Sequence, residues 1–243
     1  MDPLGRAHTF CAALPASPQS AGWYRMAGVL SAGAALRWLR DDVLGLDPAA
    51  GYEALTAPAA HVPHGAGGLL FLPYLAGERS PLMDPEARAA FIGLTAGHGR
   101  AELVRAVLEG VAFACLDAAG CLADAAPLPP AIILGGGGAR SQLWSGILAD
   151  VFGRPVRRLR TDEQAALGAC ILAGAVAGHL DPAAAARGWA TLEPAIEPDP
   201  ASVAVYRDLI ALFRASHQAV AGVDHRLAAL WPGHVGVGAE RAP

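Results

Sequence analysis

The sequence predicts an α/β domain in which short parallel strands alternate with helices. Two apolar segments, Ile132–Leu134 and Val156–Leu159, have the length of buried strands. Helical spacing of apolar residues follows each of them, over Gln142–Phe152 and over Glu163–Ala177. A glycine-rich turn, Gly135–Ser141, joins the first of these strands to its helix. A strand, a glycine turn and a helix in succession are typical of a parallel sheet that helices cover.

The elements before residue 95 are predicted from apolar spacing and from chain breakers. Apolar residues recur at helix-like intervals over Trp23–Leu44, which predicts one helix that ends near Gly45. The run Gly68–Leu75 is short, apolar and bounded by breakers, so we expect a buried strand or extended segment there. A polar loop, Gly77–Pro85, separates it from a second extended segment, Ala89–Leu94.

Two further helical regions complete the predicted elements. A long helix is expected over Arg100–Ala123, and one or two helices are expected over Ser202–Leu230. The uncharged run Gln164–Gly178 has 15 residues, fewer than the roughly 18 to 20 that span a bilayer, so it predicts a core helix and no membrane span. We expect one domain over residues 7–230 and a disordered tail over residues 231–243.

The composition excludes several classes of protein. Hydrophobic residues make up 53% of the 243 residues and charged residues 16%, which is not the profile of a disordered chain. All 18 basic residues are arginine, so neither a Walker A phosphate loop nor a Schiff-base lysine can occur in this sequence. The formal net charge of −4 argues against a nucleic-acid partner.

The cysteines and the amino-terminal segment bear on the compartment. Cys11, Cys115, Cys121 and Cys170 show no Cys-x-x-Cys spacing and no neighbouring histidine at zinc-finger spacing. We interpret them as buried small apolar residues of a cytoplasmic protein. The first ten residues lack the apolar segment of a secretory signal.

The glycine turn after residue 134 is a candidate nucleotide site. Glycine allows backbone to approach a ligand closely, and a helix N-terminus presents N–H donors and partial positive charge. Glycines also serve plain tight packing, so the turn alone leaves both interpretations open. A dinucleotide oxidoreductase is a third alternative, but the fingerprint is incomplete, because Arg140 stands at its third glycine and no acidic residue ends the next strand.

Several stretches, in order along the chain, together resemble the C-terminal half of the FGGY family of carbohydrate kinases, with xylulokinases the most similar branch. These stretches are His8-x-Phe-Cys-x-Ala-Leu-Pro15; Leu72-Pro-Tyr-Leu-Ala-Gly-Glu-Arg-Ser-Pro81 with Asp84-Pro85; Ala89-x-Phe-x-Gly-Leu94 followed after seven residues by Glu102-Leu-x-x-Ala-Val-Leu-Glu109; Gly136-Gly-Gly-Ala-Arg-Ser141 with Trp144 and Ala149-Asp150; and Ala166-Leu-Gly-Ala169.

The resemblance implies an actin-like, ribonuclease-H-like ATPase domain that lacks its first strands. It implies ATP and Mg²⁺ as cofactors, and transfer of the γ-phosphate to a sugar hydroxyl, with D-xylulose converted to xylulose 5-phosphate as the expected reaction. In the family, the aspartate that acts as general base lies in a Gly-Asp-Asn segment of a sugar-binding half, and no aspartate of this sequence matches it. The isolated chain is therefore expected to be inactive, and sugar would bind only through that other half. The alternative is a non-catalytic binding or assembly module derived from such a kinase.

The resemblance also implies four nucleotide contacts. Gly137 and Ser141 would contact adenosine, and Gly136 belongs to the same loop. Packing of a tight turn and an N-cap serine are the structural alternatives. Gly33 matches a segment whose glycine backbone meets the ATP phosphates, and close helix packing is the alternative to that role. No catalytic residue and no metal ligand is assigned.

Charged residues near these motifs have mostly structural interpretations. Glu78 and Arg79 are adjacent in a loop that faces the cleft in the family, yet adjacent opposite charges more often brace a loop. Glu102 and Glu109 share one face of a helix and are expected to anchor it to neighbouring backbone. Arg140 could pair with a phosphate or with a carboxylate such as Asp150.

The expected absence of the first strands also predicts exposed surfaces. A sheet edge and apolar faces would be left uncovered, and we expect aggregation or a homodimer as the result.

Overall fold

The computed structural model describes residues 2, 4–12, 22–124, 126–161 and 163–232. Its first two strands, β1 (His8–Cys11) and β2 (Trp23–Met26), form an antiparallel pair. The predicted helix over Trp23–Leu44 was therefore wrong in its first part. Tryptophan and tyrosine at the start of that segment favour extended backbone, and their strand finds a partner in β1. The predicted disordered tail lies outside the described residues, except for its first two positions.

Helix α1 (Ala32–Trp38) begins after Ser31 and continues into a wider turn over Leu39–Val43. The backbone N–H of Leu44 donates to the Leu39 carbonyl at 2.9 Å, five residues back, which is the pattern of a π turn. The chain leaves the helix at Gly45, whose φ is +59°. The predicted end of the helix near Gly45 is thus confirmed, whereas its start is not.

The next elements agree with the predicted extended segments. A short helix, α2 (Gly51–Thr56), is an addition that the turn-rich sequence does not predict. Strands β3 (Leu70–Leu72) and β4 (Ala90–Ile92) pair antiparallel, with Phe71 opposite Phe91. All three residues of β3 are buried, as expected of a short apolar run between breakers.

Helix α3 (Arg100–Ala123) has the bounds that the sequence predicts and is the central helix of the domain. A Cβ placed on Gly110 would lie 2.1 Å from the Phe71 carbonyl oxygen, so only glycine allows α3 to approach β3 this closely. Its length and apolar composition would also allow a membrane span, but 61% of its most apolar stretch is buried within the domain. Such burial is that of a core helix.

The predicted strand, glycine turn and helix are confirmed. Strand β5 (Ile132–Leu134) pairs in parallel with β6 (Val156–Arg158), and helix α4 (Gln142–Phe152) crosses between them. Gly153 ends α4 in the left-handed conformation, as a C-terminal glycine commonly does. This unit is the parallel α/β portion of the domain.

The last three helices differ in their burial. Helix α5 (Gln164–Val176) is followed by α6 (Pro182–Trp189), which the sequence analysis did not predict, and by α7 (Pro200–Leu230), which is one continuous helix. The prediction of a core helix at α5 was wrong, because Ile171 is its one buried residue, and Val176 is 91% exposed. Apolar composition alone does not reveal whether a neighbouring element covers a helix.

The hydrophobic core lies where α3, β3, α4 and α7 meet. Among the described residues, none from β1, β2, α5 or α6 belongs to the main buried cluster. The cysteine prediction was wrong in part for the same reason: Cys121 is buried, but Cys11 on β1 and Cys170 on α5 are exposed. All four cysteines are free thiols.

Candidate nucleotide site

The glycine turn begins where β5 ends, at the carboxyl edge of the parallel strand pair, and leads directly into α4. Ligands of open α/β sheets commonly bind at this edge. Two backbone hydrogen bonds close the turn: the Ala139 N–H donates to the Gly136 carbonyl at 3.0 Å, and the Ser141 N–H donates to the Gly138 carbonyl at 3.1 Å. The turn is therefore a fixed element and not an open loop.

Neighbouring glycines of this turn are explained by different constraints. Gly136 has a φ of +78° and a ψ of −176°, which favours glycine. A Cβ on Gly138 would lie 2.5 Å from the ring of Trp144 on α4, so the position of this ring requires glycine at residue 138. Gly137 has neither constraint, since its φ is not positive and a Cβ would meet nothing within 4 Å. The turn's own packing explains Gly136 and Gly138 but not Gly137.

Ser141 is the N-cap of α4. Its Oγ accepts the backbone N–H of Trp144 at 3.2 Å, and its carbonyl accepts the Ser145 hydroxyl at 2.8 Å. The structural alternative for Ser141 is thus realised in the fold. Because the cap uses Oγ as an acceptor, the hydroxyl proton can still be donated to a ligand at the same helix end.

Gly33 lies in the first turn of α1. The predicted helix over Trp23–Leu44 would have placed it in the middle of a longer helix, and that prediction was wrong. A Cβ on Gly33 would meet nothing within 4 Å, so close helix packing within the described residues does not explain this glycine. Gly136, Gly137 and Ser141 share one turn, whereas Gly33 stands on a separate element.

Arg158 is a residue near the turn that the sequence analysis did not assign. Its Nη1 donates to the carbonyl of Ala139 at 3.4 Å, and its guanidinium pairs with Glu193. The arginine therefore ties the glycine turn to β6 and to the segment after α6. Arg157, Arg158 and Arg160 lie in and directly after the second parallel strand and are the sequence signal for this contact, but spacing alone does not show which arginine reaches the turn.

The loop that carries Glu78 and Arg79 is braced by the first of these residues. Glu78 is 3% exposed, and its Oε1 accepts the backbone N–H groups of Leu30 at 3.0 Å and of Arg79 at 2.7 Å. Burial raises the pKa of Glu78, and these two hydrogen bonds oppose the rise. The bracing interpretation is realised for Glu78, while Arg79 is exposed.

Comparison with known proteins identifies the family. The model of the FGGY family of carbohydrate kinases, C-terminal domain, matches residues 2–177, which is more than half of the chain. The chain belongs to the FGGY family of carbohydrate kinases. The fold is accordingly the actin-like, ribonuclease-H-like ATPase fold, and the resemblance described from the sequence motifs is confirmed.

Individual relatives agree with this family assignment, but their names refer to different sugar substrates. The chain is 36% identical over 217 residues to the xylulose kinase of Escherichia coli, covering 89% of this chain and 43% of that protein. It is 39% identical over 170 residues to a gluconokinase of Bacillus licheniformis, covering 65% of this chain and 33% of that protein. The crystal structure of xylulose kinase from Rhodospirillum rubrum has a TM-score of 0.76 and 33% identity, over 90% of this chain and 43% of that one. The chain thus spans less than half the length of these relatives.

The two glutamates of the FGGY signature both anchor α3, as the sequence predicts. Glu102 accepts the backbone N–H of Gly99 at 2.8 Å and so closes the start of the helix. Glu109 is 1% exposed and accepts the backbone N–H of Gly65 at 3.1 Å. Its Oε1 also accepts Arg105 Nε at 2.6 Å and the Tyr206 hydroxyl at 2.8 Å.

The buried Glu109 network continues into a histidine that the sequence analysis left unassigned. Arg105 Nη2 donates to His64 Nδ1 at 2.9 Å, which leaves the proton of that ring on Nε2. His64 Nε2 lies 3.0 Å from Ser202 Oγ, and Ser202 donates to Asp199 Oδ2 at 2.6 Å. This arrangement is not a catalytic triad, because the serine stands between the histidine and the aspartate and is 2% exposed. These hydrogen bonds link α7 to α3 and to the loop that carries His64.

A cleft of about 280 Å³ lies elsewhere on the FGGY domain. The rings of Trp38, Phe71 and Phe91 line it together with Arg88, whose Nε and Nη2 are buried without a hydrogen-bond partner. None of the four proposed nucleotide contacts lines this cleft. Within the described ranges, no three His, Cys, Asp or Glu side chains come together as a metal-ligand group.

Proposed function

We propose that this chain is the nucleotide-binding half of a cytoplasmic carbohydrate kinase. The complete kinase would transfer the γ-phosphate of ATP to a hydroxyl of a small sugar or polyol. Nucleotide would bind at the glycine turn through Gly136, Gly137 and Ser141, and at the start of α1 through Gly33. The family assignment supports the reaction class, and the geometry of these four residues supports the site.

The place of Gly137, in the turn between the carboxyl end of β5 and the start of α4, is the observation that carries the proposal, and the open space at Gly137 and Gly33 agrees with it. Neither glycine has a positive φ, and a Cβ at either position would meet nothing within 4 Å. The folded chain therefore gives no reason of its own for glycine at these positions. A ligand whose ring or phosphate lies against bare backbone would give one, since a side chain there would occupy the ligand's place.

Magnesium would be held mainly by the nucleotide. Mg²⁺ commonly binds one or two carboxylates together with substrate phosphates, and the described residues include no group of three His, Cys, Asp or Glu side chains that could hold the ion without them. The ion would supply neutralisation of the phosphate charge as the γ-phosphoryl group moves. What this chain contributes is orientation of the nucleotide by backbone N–H groups and by the partial positive charge at the start of α4.

D-Xylulose is the substrate that we propose to test first. The match to the Escherichia coli xylulose kinase covers 89% of this chain, whereas the match to the Bacillus licheniformis gluconokinase covers 65%. Both relatives extend well beyond the matched region, and the family places sugar contacts mainly in the half that this sequence does not match. D-Gluconate and glycerol are therefore the necessary comparison substrates.

Isothermal titration of MgATP and MgADP into the purified chain tests the nucleotide site. We expect dissociation constants in the millimolar range or tighter for the natural chain. The Gly137→Asp variant should lose this binding, because its side chain would fill the open space in which the adenosine would lie. Gly222→Asp is the matched control: it adds the same charge at an exposed helical glycine of α7 with open space around it, and binding should be unchanged.

Thermal melting of the variants distinguishes loss of nucleotide binding from loss of folding. Cooperative melting of both variants together with loss of binding in Gly137→Asp alone would support the assignment. An absence of binding by the natural chain, despite cooperative melting, would overturn it. Equal binding by the natural chain and by Gly137→Asp would place the nucleotide elsewhere.

A second experiment separates the kinase half from a non-catalytic module. The chain alone should not phosphorylate D-xylulose. Mixing it with the amino-terminal portion of the Escherichia coli xylulose kinase, which this chain does not match, should give transfer from ATP to D-xylulose. Nucleotide binding without any transfer in that mixture would favour the alternative of a binding or assembly module.

A further inference from the structure

Residues of α1, of the β3–β4 pair and of the segment before β4 line one cleft of this domain. We call it the aromatic cleft, and its walls include Trp38, Phe71, Phe91, Arg88 and Ala89. Its volume of about 280 Å³ is nearly twice the roughly 150 Å³ of an apolar cavity that holds one benzene molecule. The aromatic cleft therefore has room for a ring that carries a short polar arm.

The three aromatic rings of the cleft are in contact with one another. Trp38 stacks on Phe71 with 6.1 Å between the ring centroids and 17° between the planes, and Phe71 lies 4.6 Å from Phe91. Phe71 is 1% exposed, whereas Trp38 and Phe91 are only partly buried. The two outer rings thus keep apolar surface that a flat apolar group could cover.

Arg88 brings two unused hydrogen-bond donors to the same cleft. Its Nε and Nη2 are buried, and neither has a hydrogen-bond partner among the described residues. These two nitrogens share one side of the guanidinium, where their N–H groups match the two oxygens of a carboxylate. Buried donors of a charged group are normally satisfied, because an unsatisfied one costs free energy.

The carboxylate that contacts Arg88 within the chain does not satisfy these donors. Asp224 is 6% exposed, and its Oδ2 accepts the backbone N–H of Arg88 at 3.2 Å, which holds residue 88 against α7. Arg40 shows how the same two nitrogens are used elsewhere in the chain. Its Nε and Nη2 donate to the two carboxylate oxygens of Asp41 at 2.5 and 3.1 Å. At Arg88 the equivalent position for a carboxylate is left to a ligand.

We propose that the aromatic cleft binds a small organic acid, with a flat apolar body against Trp38 and Phe91 and a carboxylate on Nε and Nη2 of Arg88. Among the described residues that line the cleft, Arg88 alone is charged. A carboxylate therefore fits better than a phosphate, whose remaining oxygens would be buried without partners. None of the four proposed nucleotide contacts lines the cleft, so the proposal does not depend on the nucleotide site.

Isothermal titration of phenylacetate into the full chain tests the proposed site. We expect a dissociation constant on the order of 0.1 to 1 mM, as befits the binding free energy per atom of so small a ligand. Phenylacetamide has the same shape without the charge, and inorganic phosphate has charge without the ring. Each should bind about tenfold more weakly than phenylacetate, or weaker still.

Two variants change the donors and the space of the cleft independently. Arg88→Gln removes the paired donors and should weaken phenylacetate binding about tenfold or more. Ala89→Leu keeps the charge, but residue 89 lies on the same side of the extended chain as Phe91, so the larger side chain should fill the cleft and abolish binding. Arg207→Gln, at an exposed position of α7, is the matched control and should bind like the natural chain.

Thermal melts show whether each variant folds. Equal binding of phenylacetate by the natural chain and by Arg88→Gln would overturn the proposal, and so would equal binding of phenylacetate and phenylacetamide. An absence of binding by the folded natural chain would also overturn it, since water would then satisfy the two donors. If Ala89→Leu does not fold, Arg88→Gln and the comparison of the two ligands still decide.

Discussion

Glu109 and Tyr24 represent two regions of the domain that are stabilised differently. Around Glu109, on α3, every buried polar group of the network meets a partner from another element, including Gly65 and Tyr206. Tyr24, on β2, is 51% exposed, and its ring stacks on Phe10 of the paired strand at 5.4 Å. In the first region, the buried polar groups find their hydrogen-bond partners within this chain. The second is a strand pair with apolar side chains open to solvent.

The difference distinguishes the buried core of this chain from its exposed apolar surfaces. An antiparallel pair of two strands is marginal by itself, and the β1–β2 pair contributes no described residue to the main core cluster. The exposed α5 shows the same property, with Val176 and Leu172 facing solvent. Exposed apolar patches of this kind mark interaction surfaces, which agrees with a domain whose relatives are more than twice as long.

The same substitution in the two regions should give the largest contrast. Phe113→Ala on α3 should lower the free energy of unfolding by about 3 to 5 kcal/mol, because the ring is 1% exposed and packs against Tyr206 and Phe213. Phe10→Ala on β1 should change it by less than about 0.5 kcal/mol, since the ring is 39% exposed. Urea unfolding followed by circular dichroism measures both. Equal losses would show that the β1–β2 pair is part of the cooperative core.

Removal of the buried charge at the centre of the network should have the next largest effect. Glu109→Gln keeps the shape of the side chain but leaves Arg105 buried without a counter-charge, so we expect a loss of about 3 kcal/mol. Glu102→Gln is the matched control on the same helix, and its loss should be clearly smaller because it affects an exposed helix end. Urea unfolding of the two variants side by side checks the order. Losses in the reverse order would mean that the network does not hold α7 in place.

Two glycines of α3 should respond in opposite directions to the same small change. Gly110→Ala would bring a methyl group against the Phe71 carbonyl, and we expect a loss of about 1 to 3 kcal/mol. Gly120→Ala meets nothing within 4 Å and should gain about 0.5 to 1 kcal/mol by restricting the unfolded chain. Thermal melts of the two variants give the signs directly. A tolerated Gly110→Ala would show that α3 can move away from β3.

Sequence patterns predicted the elements whose apolar residues meet the core. The bounds of α3 and α4 follow from helical spacing over many residues, and the parallel pair of β5 and β6 follows from its glycine turn. The strand at Trp23 was missed because four residues are too few to show a strand period beside a longer helical pattern. The exposure of α5 could not be predicted, since apolar composition does not reveal which faces a neighbour covers.

The candidate site was predictable in its location but not in its reasons. The run of four glycines marked the turn, yet the sequence could not show that Gly136 adopts a positive φ or that Gly138 accommodates the Trp144 ring. Only the three-dimensional arrangement shows that Gly137 has no such constraint. The Glu109 network was partly predictable from spacing on α3, but its partners Gly65 and Tyr206 lie far away along the chain.

The place of Tyr206 in the sequence has a consequence for synthesis of the protein. Tyr206, which donates a hydrogen bond to Glu109, is synthesised 97 residues after it. The family model ends at residue 177, yet Tyr206, Ile210 and Phe213 of α7 all belong to the core. Until α7 emerges, the nascent chain therefore exposes the apolar surface that this helix will cover, so the core cannot close before residues 206–213 have been synthesised.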